Sequence, residues 1–213
     1  DADTDNSYSL SVTASDGTNS DTEAIVVNVT DTNDESPVFT SASSFTVAEN
    51  QTAVGSLTAT DADANSTITF TKTGGADKDA FTVTGSTLAF ASAPNYEVQQ
   101  SYVVVVTASD TNATNSTTQE ITVNLTNVND IAPVFTSADA FSVAEGTDAV
   151  ATLTGLDADG TTPTFSTTLA GDDAADFTLS SSGALAFAAT SNFESPADAD
   201  TNNVYSITAT ITD

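Results

Sequence analysis

The sequence predicts an all-β protein made of tandem, seven-stranded antiparallel Greek-key β-sandwiches of immunoglobulin-like type. One long segment occurs twice, because residues 31–42 return as residues 127–138 at a displacement of 96 positions. Short runs rich in Val, Ile, Thr, Tyr and Phe alternate with turn residues, which is typical of sandwich strands. No stretch shows a sustained helical period. A fixed displacement of this length indicates repeated domains.

Residues 1–34 predict the last two strands of a repeat. The runs at residues 7–14 and 23–30 are separated by the turn residues Asp16 and Gly17, so they are expected to form a hairpin. Because a lone hairpin is only marginally stable in water, we expect this part to be a fragment of a larger domain.

Residues 35–131 predict a complete repeat. The first strand is interrupted, and the other six are short and separated by turn residues. The predicted strands are residues 38–39 with 45–47, 54–60, 67–71, 81–83, 88–90, 102–108 and 120–126.

Residues 132–213 predict a further repeat that lacks its last strand. Its first six strands are expected at residues 135 with 141–143, 150–156, 164–165, 177–179, 185–187 and 205–209. Residues 198–206 also match residues 1–9, so the chain has the pattern of a window on a continuous array. The alternative is that residues 23–30 of another copy add a seventh strand to the open sheet edge.

The composition is strongly acidic, with 30 Asp and Glu against two basic residues and a formal charge of −28. This excludes nucleic acid as a partner and argues against anionic membrane surfaces. No Cys is present, and no apolar run is long enough to insert in a membrane. An acidic surface also suits a halophilic or marine protein, but that does not explain why the acids recur at fixed positions.

The acidic residues recur at five points of the repeat. A Glu follows the first strand, an Asp-x-Asp follows the second, an aromatic-Glu pair precedes the sixth, a single Asp ends the sixth, and an Asx-x-Asn-Asp motif lies between repeats. These residues are Glu49 and Glu145; Asp61, Asp63, Asp157 and Asp159; Glu97 and Glu194; Asp16, Asp110 and Asp213; and Asp31, Asn33, Asp34, Asn127, Asn129 and Asp130.

This pattern predicts calcium binding between repeats. Alternate loops of a sandwich lie at opposite ends, so acids of two successive repeats are expected to face the segment between them. Two carboxylates about 4 Å apart repel by about 4 kcal/mol at an effective dielectric constant of about 20, so such a cluster needs cations. Oxygen ligands without His or Cys favour Ca²⁺. A single Asp-x-Asp is more often a turn, and the recurrence of the whole set favours the metal.

Taken together, the motifs resemble those of the cadherin repeat over nearly the whole chain. They are Asp31-x-Asn33-Asp34-x-x-Pro37-x-Phe39, Val47-Ala48-Glu49, Asp61-Ala62-Asp63, Tyr96-Glu97 and Thr107-Ala108-Ser109-Asp110. The resemblance implies that each junction between repeats binds several Ca²⁺ ions, which stiffen a rod.

The resemblance also implies which residues serve each junction. The first would use Asp31, Asn33, Asp34, Asp61, Asp63 and Asp110. The second would use Glu49, Glu97, Asn127, Asn129, Asp130, Asp157, Asp159 and Asp213. Glu145 and Glu194 would serve a third junction, and Asp16 holds the equivalent position in the first part of the chain.

Glu35 and Ile131 replace an Asn that is usual in the family, and at three further positions, Asn95, Asn127 and Asn192, an Asn stands where the family has Asp. Each of these three Asn residues keeps an oxygen ligand and loses a charge, so we expect weaker calcium binding there.

An enzyme is not expected, because the chain has no His, no Cys and no Gly-rich phosphate loop. The sequence predicts a calcium-rigidified stalk or filament segment of an extracellular, adhesion-related prokaryotic repeat protein. The expected partners are calcium ions, neighbouring repeats or other copies of the chain, and a glycan or surface protein. The alternative function is a glycan- or protein-binding adhesion module, for which an exposed Tyr or Phe cluster on one face would be the sign.

Overall fold

A computed structural model describes residues 5–64, 66–110 and 115–213. The fold is all-β, as predicted. The chain divides into two compact units. The first unit comprises Asp1–Pro94 and Gln100–Leu125, and the second comprises Asn95–Gln99 and Thr126–Asp213.

The first unit begins with the predicted hairpin. Strand β1 (Ser7–Ser15) pairs antiparallel with β2 (Ser20–Asn28) over its whole length. The turn is fixed by the Asp16 carboxylate, whose Oδ1 accepts the backbone N–H groups of Thr18 and Asn19, both at 2.8 Å. The apolar residues Leu10, Val12, Val26 and Val27 of these strands are exposed.

The central repeat forms two layers of sheet. Its strands are β3 (Val38–Phe39), β4 (Ser44–Ala48), β5 (Ala53–Ser56), β6 (Ala59–Thr60), β7 (Thr69–Gly74), β8 (Phe81–Thr84), β9 (Thr87–Phe90), β10 (Ser101–Ser109) and β11 (Ser116–Thr126). One sheet has the order β4-β11-β10-β7, the other has the order β5-β9-β8, and β3 pairs with β6. A short 3₁₀ turn at Lys78–Ala80 precedes β8.

The run predicted as one strand at residues 54–60 is two strands, because the chain changes partner in the middle. Strand β5 pairs with β9, whereas β6 pairs with β3. Between them the carbonyl of Thr58 accepts the N–H groups of Thr40 and Ser41. Because of this change of pairing partner, residues 53–60 contribute strands to both layers. The chain then enters the Asp-x-Asp loop that follows β6.

The core of the central repeat follows the period-two pattern of its long strands. Val104 and Val106 of β10 and Ile121 and Val123 of β11 are completely buried. Tyr102 packs edge-on against the stacked rings of Phe81 and Phe90. Alternating inward residues therefore hold the two layers together.

The second unit repeats this architecture with shorter strands. They are β12 (Val134–Phe135), β13 (Ala149–Thr152), β14 (Gly155–Leu156), β15 (Thr164–Phe165), β16 (Phe177–Leu179), β17 (Ala184–Phe187) and β18 (Ile211–Thr212). Its small core contains Leu153, Phe165, Leu179 and Leu185.

The strands predicted at residues 141–143 and 205–209 are wrong. In the central repeat, β4 and β10 both hydrogen-bond to β11. The described part of the third repeat offers no strand equivalent to β11, so these segments lack their pairing partner. Instead Thr208 makes a single bridge to Ala170, and the sheet resumes only where β18 pairs with β15.

A groove of about 930 Å³ lies where that strand would pack, and its walls include Phe135, Phe141, Leu153, Tyr205 and Ile207. Phe135 and Phe141 are exposed, whereas the corresponding Phe39 and Phe45 are partly covered in the central repeat. These two phenylalanines are therefore less covered than their counterparts.

Gly75 and Asp77 fix the start of β10. The Asp77 carboxylate accepts the N–H of Val103 at 2.8 Å, and the Asp77 N–H donates to the Val103 carbonyl. Gly75 has φ +100°, and a Cβ placed there would lie 2.5 Å from the Val103 oxygen and from the Val104 Cα. Only glycine fits this approach.

We expect Gly75→Ala to lower the free energy of unfolding by about 3 kcal/mol, from backbone strain and overpacking together. Gly85 is the matched control, because it also has a positive φ but a Cβ added there would meet nothing within 4 Å. Gly85→Ala should cost about 1 kcal/mol. Urea denaturation followed by circular dichroism measures both, and equal losses would contradict the packing argument.

Candidate metal centre

The Asp-x-Asp loop after β6 folds back onto the first connector, which we define as residues 31–37. The Asp63 carboxylate accepts the N–H of Glu35 at 2.8 Å. The N–H of Asp63 in turn donates to Asp61 Oδ1 at 3.0 Å. The N–H of Ala64 donates to Asp31 Oδ2. Backbone N–H groups thus hold the carboxylates at defined positions beside the connector.

Two side-chain oxygens of this group are buried without a hydrogen-bond donor, namely Asn33 Oδ1 and Asp61 Oδ2. The carbonyl of Asn33 accepts the side-chain amide of Asn115 at 3.4 Å, which was not predicted from the sequence. Asp110, at the end of β10, is also buried. Burying an oxygen without a donor costs free energy, and a bound cation would remove that cost.

The second connector, residues 127–133, has the same network within the second unit. Asp159 Oδ2 accepts the N–H groups of Asp130 at 2.9 Å and of Ile131 at 2.7 Å. The N–H of Asp159 donates to Asp157 Oδ1 at 2.7 Å. Ile131 occupies the position of Glu35 in the first connector. The identity of this side chain is therefore unimportant to the network, because only its backbone N–H is used.

The two connectors differ at their first residue. Asp31 accepts a backbone N–H from the facing loop, whereas the side-chain amide of Asn127 donates to the Asp159 carbonyl at 2.7 Å. An Asp at position 127 could not make this bond, since an ionised carboxylate only accepts hydrogen bonds.

Two groups of carboxylates meet at Asp159. Oxygens of Asp157, Asp159 and Asp213 lie within 4.8 Å of one another, and so do oxygens of Glu97, Asp130 and Asp159. Asp157 Oδ2 and Asp159 Oδ1 are buried without a donor. At this separation each ionised pair repels by about 3.5 kcal/mol at an effective dielectric constant of about 20. The donor set is made of oxygens alone, which fits Ca²⁺.

The remaining predicted residues differ in how far they are exposed. Glu49, at the end of β4, is almost fully buried at 1% exposure. Asp34 and Asn129 are exposed on their connectors. Asp16 is exposed in the turn of the hairpin, where the N–H groups of Asn19 and Thr18 lower the pKa of its carboxyl.

Glu145 and Glu194 lie on neighbouring loops of the third repeat. Glu145 Oε2 accepts the N–H of Phe193 at 3.1 Å, directly before Glu194. Asn192 accepts the N–H groups of Glu194 and Ser195, and Asn95 accepts that of Val98. The two Asn residues that replace a family Asp therefore shape the Glu-bearing loops.

Comparison with known families agrees with the motifs. The Cadherin domain family model matches residues 43–126. This range includes the Asp-x-Asp loop, the Glu-bearing loops and Asp110 of the central repeat.

The chain contains a cadherin domain.

Relatives among curated proteins extend the cadherin similarity beyond that domain. Human cadherin EGF LAG seven-pass G-type receptor 1 is 37% identical over 153 residues, covering 66% of this chain and 5% of the receptor. Mouse protocadherin Fat 4 is 41% identical over 141 residues, covering 62% of this chain and 3% of that protein. The chain thus spans about a twentieth or less of these relatives. They are animal proteins and give no support to the predicted prokaryotic source.

Solved structures show the same fold. Protocadherin gammaB7 domains EC3-6 align with all of this chain and 60% of theirs, with a TM-score of 0.73 and 20% identity. Mouse protocadherin-24 domains EC1-3 align with 91% of this chain and 70% of theirs, with a TM-score of 0.68 and 20% identity. At such identities the likeness concerns the fold alone.

Cadherin domains in general are extracellular adhesion modules without enzymatic activity. Cadherin domains generally bind Ca²⁺ at repeat junctions. No helix among the described residues is long and apolar enough to cross a membrane.

We expect Asp159→Asn to reduce the stabilisation by calcium, because Asp159 belongs to both carboxylate groups. At a calcium concentration of about 100 times Kd, a single site stabilises the fold by about 2.7 kcal/mol, and a tenfold weaker site by about 1.4 kcal/mol. Melting curves in EDTA and in calcium measure the difference. Asp139→Asn, an exposed acid of the same repeat, is the control. An unchanged calcium response in Asp159→Asn would contradict the assignment.

Proposed function

We propose that this chain is a segment of an extracellular, adhesion-related repeat protein, in which calcium at the connectors holds successive cadherin repeats in a stiff stalk or filament. The proposal takes residues 1–34, 35–131 and 132–213 as parts of three successive repeats. The prokaryotic source predicted from the sequence belongs to the same proposal.

One observation carries the proposal. The two connectors have the same hydrogen-bond network 96 positions apart, with Asp63 bound to the N–H of Glu35 and Asp159 bound to that of Ile131. Both networks leave buried carboxylate oxygens without donors, at Asp61 and at Asp157. Closing a turn does not require buried carboxylate oxygens without hydrogen-bond donors, and such oxygens lower the stability of the fold unless a cation binds them.

The proposed ligands are divided between the connectors as the sequence pattern divides them. Asp31, Asn33, Asp34, Asp61, Asp63 and Asp110 belong to the first, and Glu49, Glu97, Asn127, Asn129, Asp130, Asp157, Asp159 and Asp213 to the second. Calcium supplies positive charge that offsets the repulsion among these carboxylates. The backbone N–H groups of the connectors orient the carboxylates before the ion arrives.

The groove within residues 132–213 lies beside segments whose counterparts pair with β11 in the central repeat. Its walls match surfaces that β11 covers in the central repeat, and Phe141 belongs to the segment equivalent to β4. We propose that a strand equivalent to β11 covers it, from the adjoining array or from another copy.

We expect calcium to lengthen the chain in solution. Without calcium the carboxylates at each connector repel one another and the connector bends. With millimolar calcium the connector becomes rigid. Small-angle X-ray scattering in EDTA and in calcium should show a larger maximum dimension with calcium. The Asp63→Asn, Asp159→Asn double variant should lose most of this change. Identical dimensions for the wild-type chain in both buffers would contradict the proposal.

We expect Asn127→Asp to tighten calcium binding at the second connector by about tenfold, because one charge is added to the ligand set. In EDTA the variant should be less stable than the wild type, because it loses the amide bond to the Asp159 carbonyl. Asp31→Asn is the reciprocal control and should weaken the first connector. Isothermal titration calorimetry measures both, and a loss of affinity in Asn127→Asp would contradict the charge argument.

A further inference from the structure

A second acidic loop lies within residues 132–213 and contains none of the residues assigned to the two connectors. Ten residues separate Glu194 from Tyr205, whereas four separate the equivalent Glu97 from Tyr102. The additional residues give the sequence Asp198-Ala-Asp200-Thr-Asn202-Asn203. The cadherin domain at residues 43–126 has no counterpart of this loop.

Asp198 is buried at 3% exposure. Its Oδ2 accepts the N–H of Asn202 at 2.8 Å, so the carboxylate faces the inside of the loop. Its Oδ1 is buried and has no hydrogen-bond donor. An ionised oxygen in this position costs free energy unless a positive group compensates it.

Asp198 lies in the second unit, which contains no Lys, Arg or His. The only two basic residues are Lys72 and Lys78, both in the central repeat. Lys72 Nζ donates to the carbonyls of Lys78 and Phe81 there. No side chain of the second unit can therefore supply the compensating charge, whereas a cation from solution can.

A second buried carboxylate anchors the loop to the sandwich. Asp173 Oδ1 accepts the N–H of Ala199 at 2.8 Å, and its Oδ2 accepts that of Ser206 at 2.6 Å. These donors, Ser206 above all, lower the pKa of the Asp173 carboxyl. The loop is thus tied at both ends around a fixed negative charge.

The spacing of oxygen side chains suits a calcium loop. Asp198, Asp200 and Asn202 occupy alternate positions, and Asn203 follows with φ +67°. Calcium loops of the Asp-x-Asp-x-Asn type place ligands at positions 1, 3 and 5 and a sharp turn at position 6. The side chains of Asp200 and Asn202 are in contact, since Asn202 Nδ2 donates to Asp200 Oδ2 at 2.8 Å.

We propose that this loop binds Ca²⁺ through Asp198 Oδ1, Asp200 and Asn202, as a site inside the repeat that is separate from the connectors. Ala209 stands where such loops carry a bidentate Glu. The affinity should therefore lie in the weak range of extracellular modules, a Kd of roughly 10⁻⁴ to 10⁻³ M.

A similar sequence, identical at five of six positions, occurs at the other end of the chain as Asp1-Ala-Asp-Thr-Asp5-Asn6. Residues 1–4 lie outside the described part. Asn6 has φ +58°, as Asn203 has a positive φ, and Asp5 Oδ1 accepts the N–H of Ser7 as Asn202 Oδ1 accepts that of Val204. The sequence thus encodes the same turn twice, which a chance acidic loop would not require.

Hydrogen–deuterium exchange of the whole chain tests the site locally, with the connectors intact. At a calcium concentration of about ten times Kd, the amides of residues 199–204 should exchange about tenfold more slowly in the wild type. Asp198→Asn and Asp200→Asn should abolish this protection. Asp200 is exposed, so Asp200→Asn should leave the fold intact. This variant therefore tests the calcium site even if Asp198→Asn fails to fold.

Two controls separate this site from the connectors. Asp172→Asn, an exposed neighbour outside the loop, should keep the protection. Asp159→Asn should also keep it, while losing the calcium response of the second connector. The proposal is overturned if calcium leaves the loop unprotected in the wild type, as expected for an oxygen that is merely hydrated. It is equally overturned if Asp198→Asn and Asp200→Asn retain the protection.

Discussion

The second connector has to hold several carboxylates close together, and the second unit has no Lys or Arg to offset them. Asp159 belongs to two overlapping groups, which also contain Glu97, Asp130, Asp157 and Asp213. The chain has only two basic residues, and neither lies in residues 132–213. Ionised pairs at such distances repel by a few kcal/mol each. The fold therefore depends on something that neutralises these oxygens, and the absence of nitrogen and sulfur ligands leaves a hard cation as the fitting partner.

The sandwich supplies the geometry that makes this possible. Strand β6 ends at the Asp-x-Asp loop, whose second carboxylate is held against the connector by backbone N–H groups. Strand β10 ends at the buried Asp110. Because the strands are fixed by a core of buried Val, Ile and Phe side chains, the ligands at their ends are held in place before a cation binds. The site is thus rigid because the sheet is rigid.

The sequence predicted the hairpin, the two layers and most strands of the central repeat, because alternation in β10 and β11 is strong. It failed at residues 141–143 and 205–209, where the apolar pattern is present but the pairing strand is not. The sequence also predicted β5 and β6 as one strand, since a change of pairing partner does not alter the hydrophobic pattern. The recurring acids identified both connectors. The buried Asp173 and Asp198 escaped notice, because burial of an Asp in a polar loop depends on packing that local sequence does not report.

The central claim is that these carboxylates are metal ligands and do not merely close turns. A crystal structure of the chain grown with calcium, and phased or checked by the anomalous signal of a substituted lanthanide, tests this directly. The account predicts metal peaks about 2.3–2.6 Å from oxygens of Asp61 and Asp63 at the first connector and of Asp157 and Asp159 at the second. Ordered carboxylates at both connectors with no metal density beside them would contradict it.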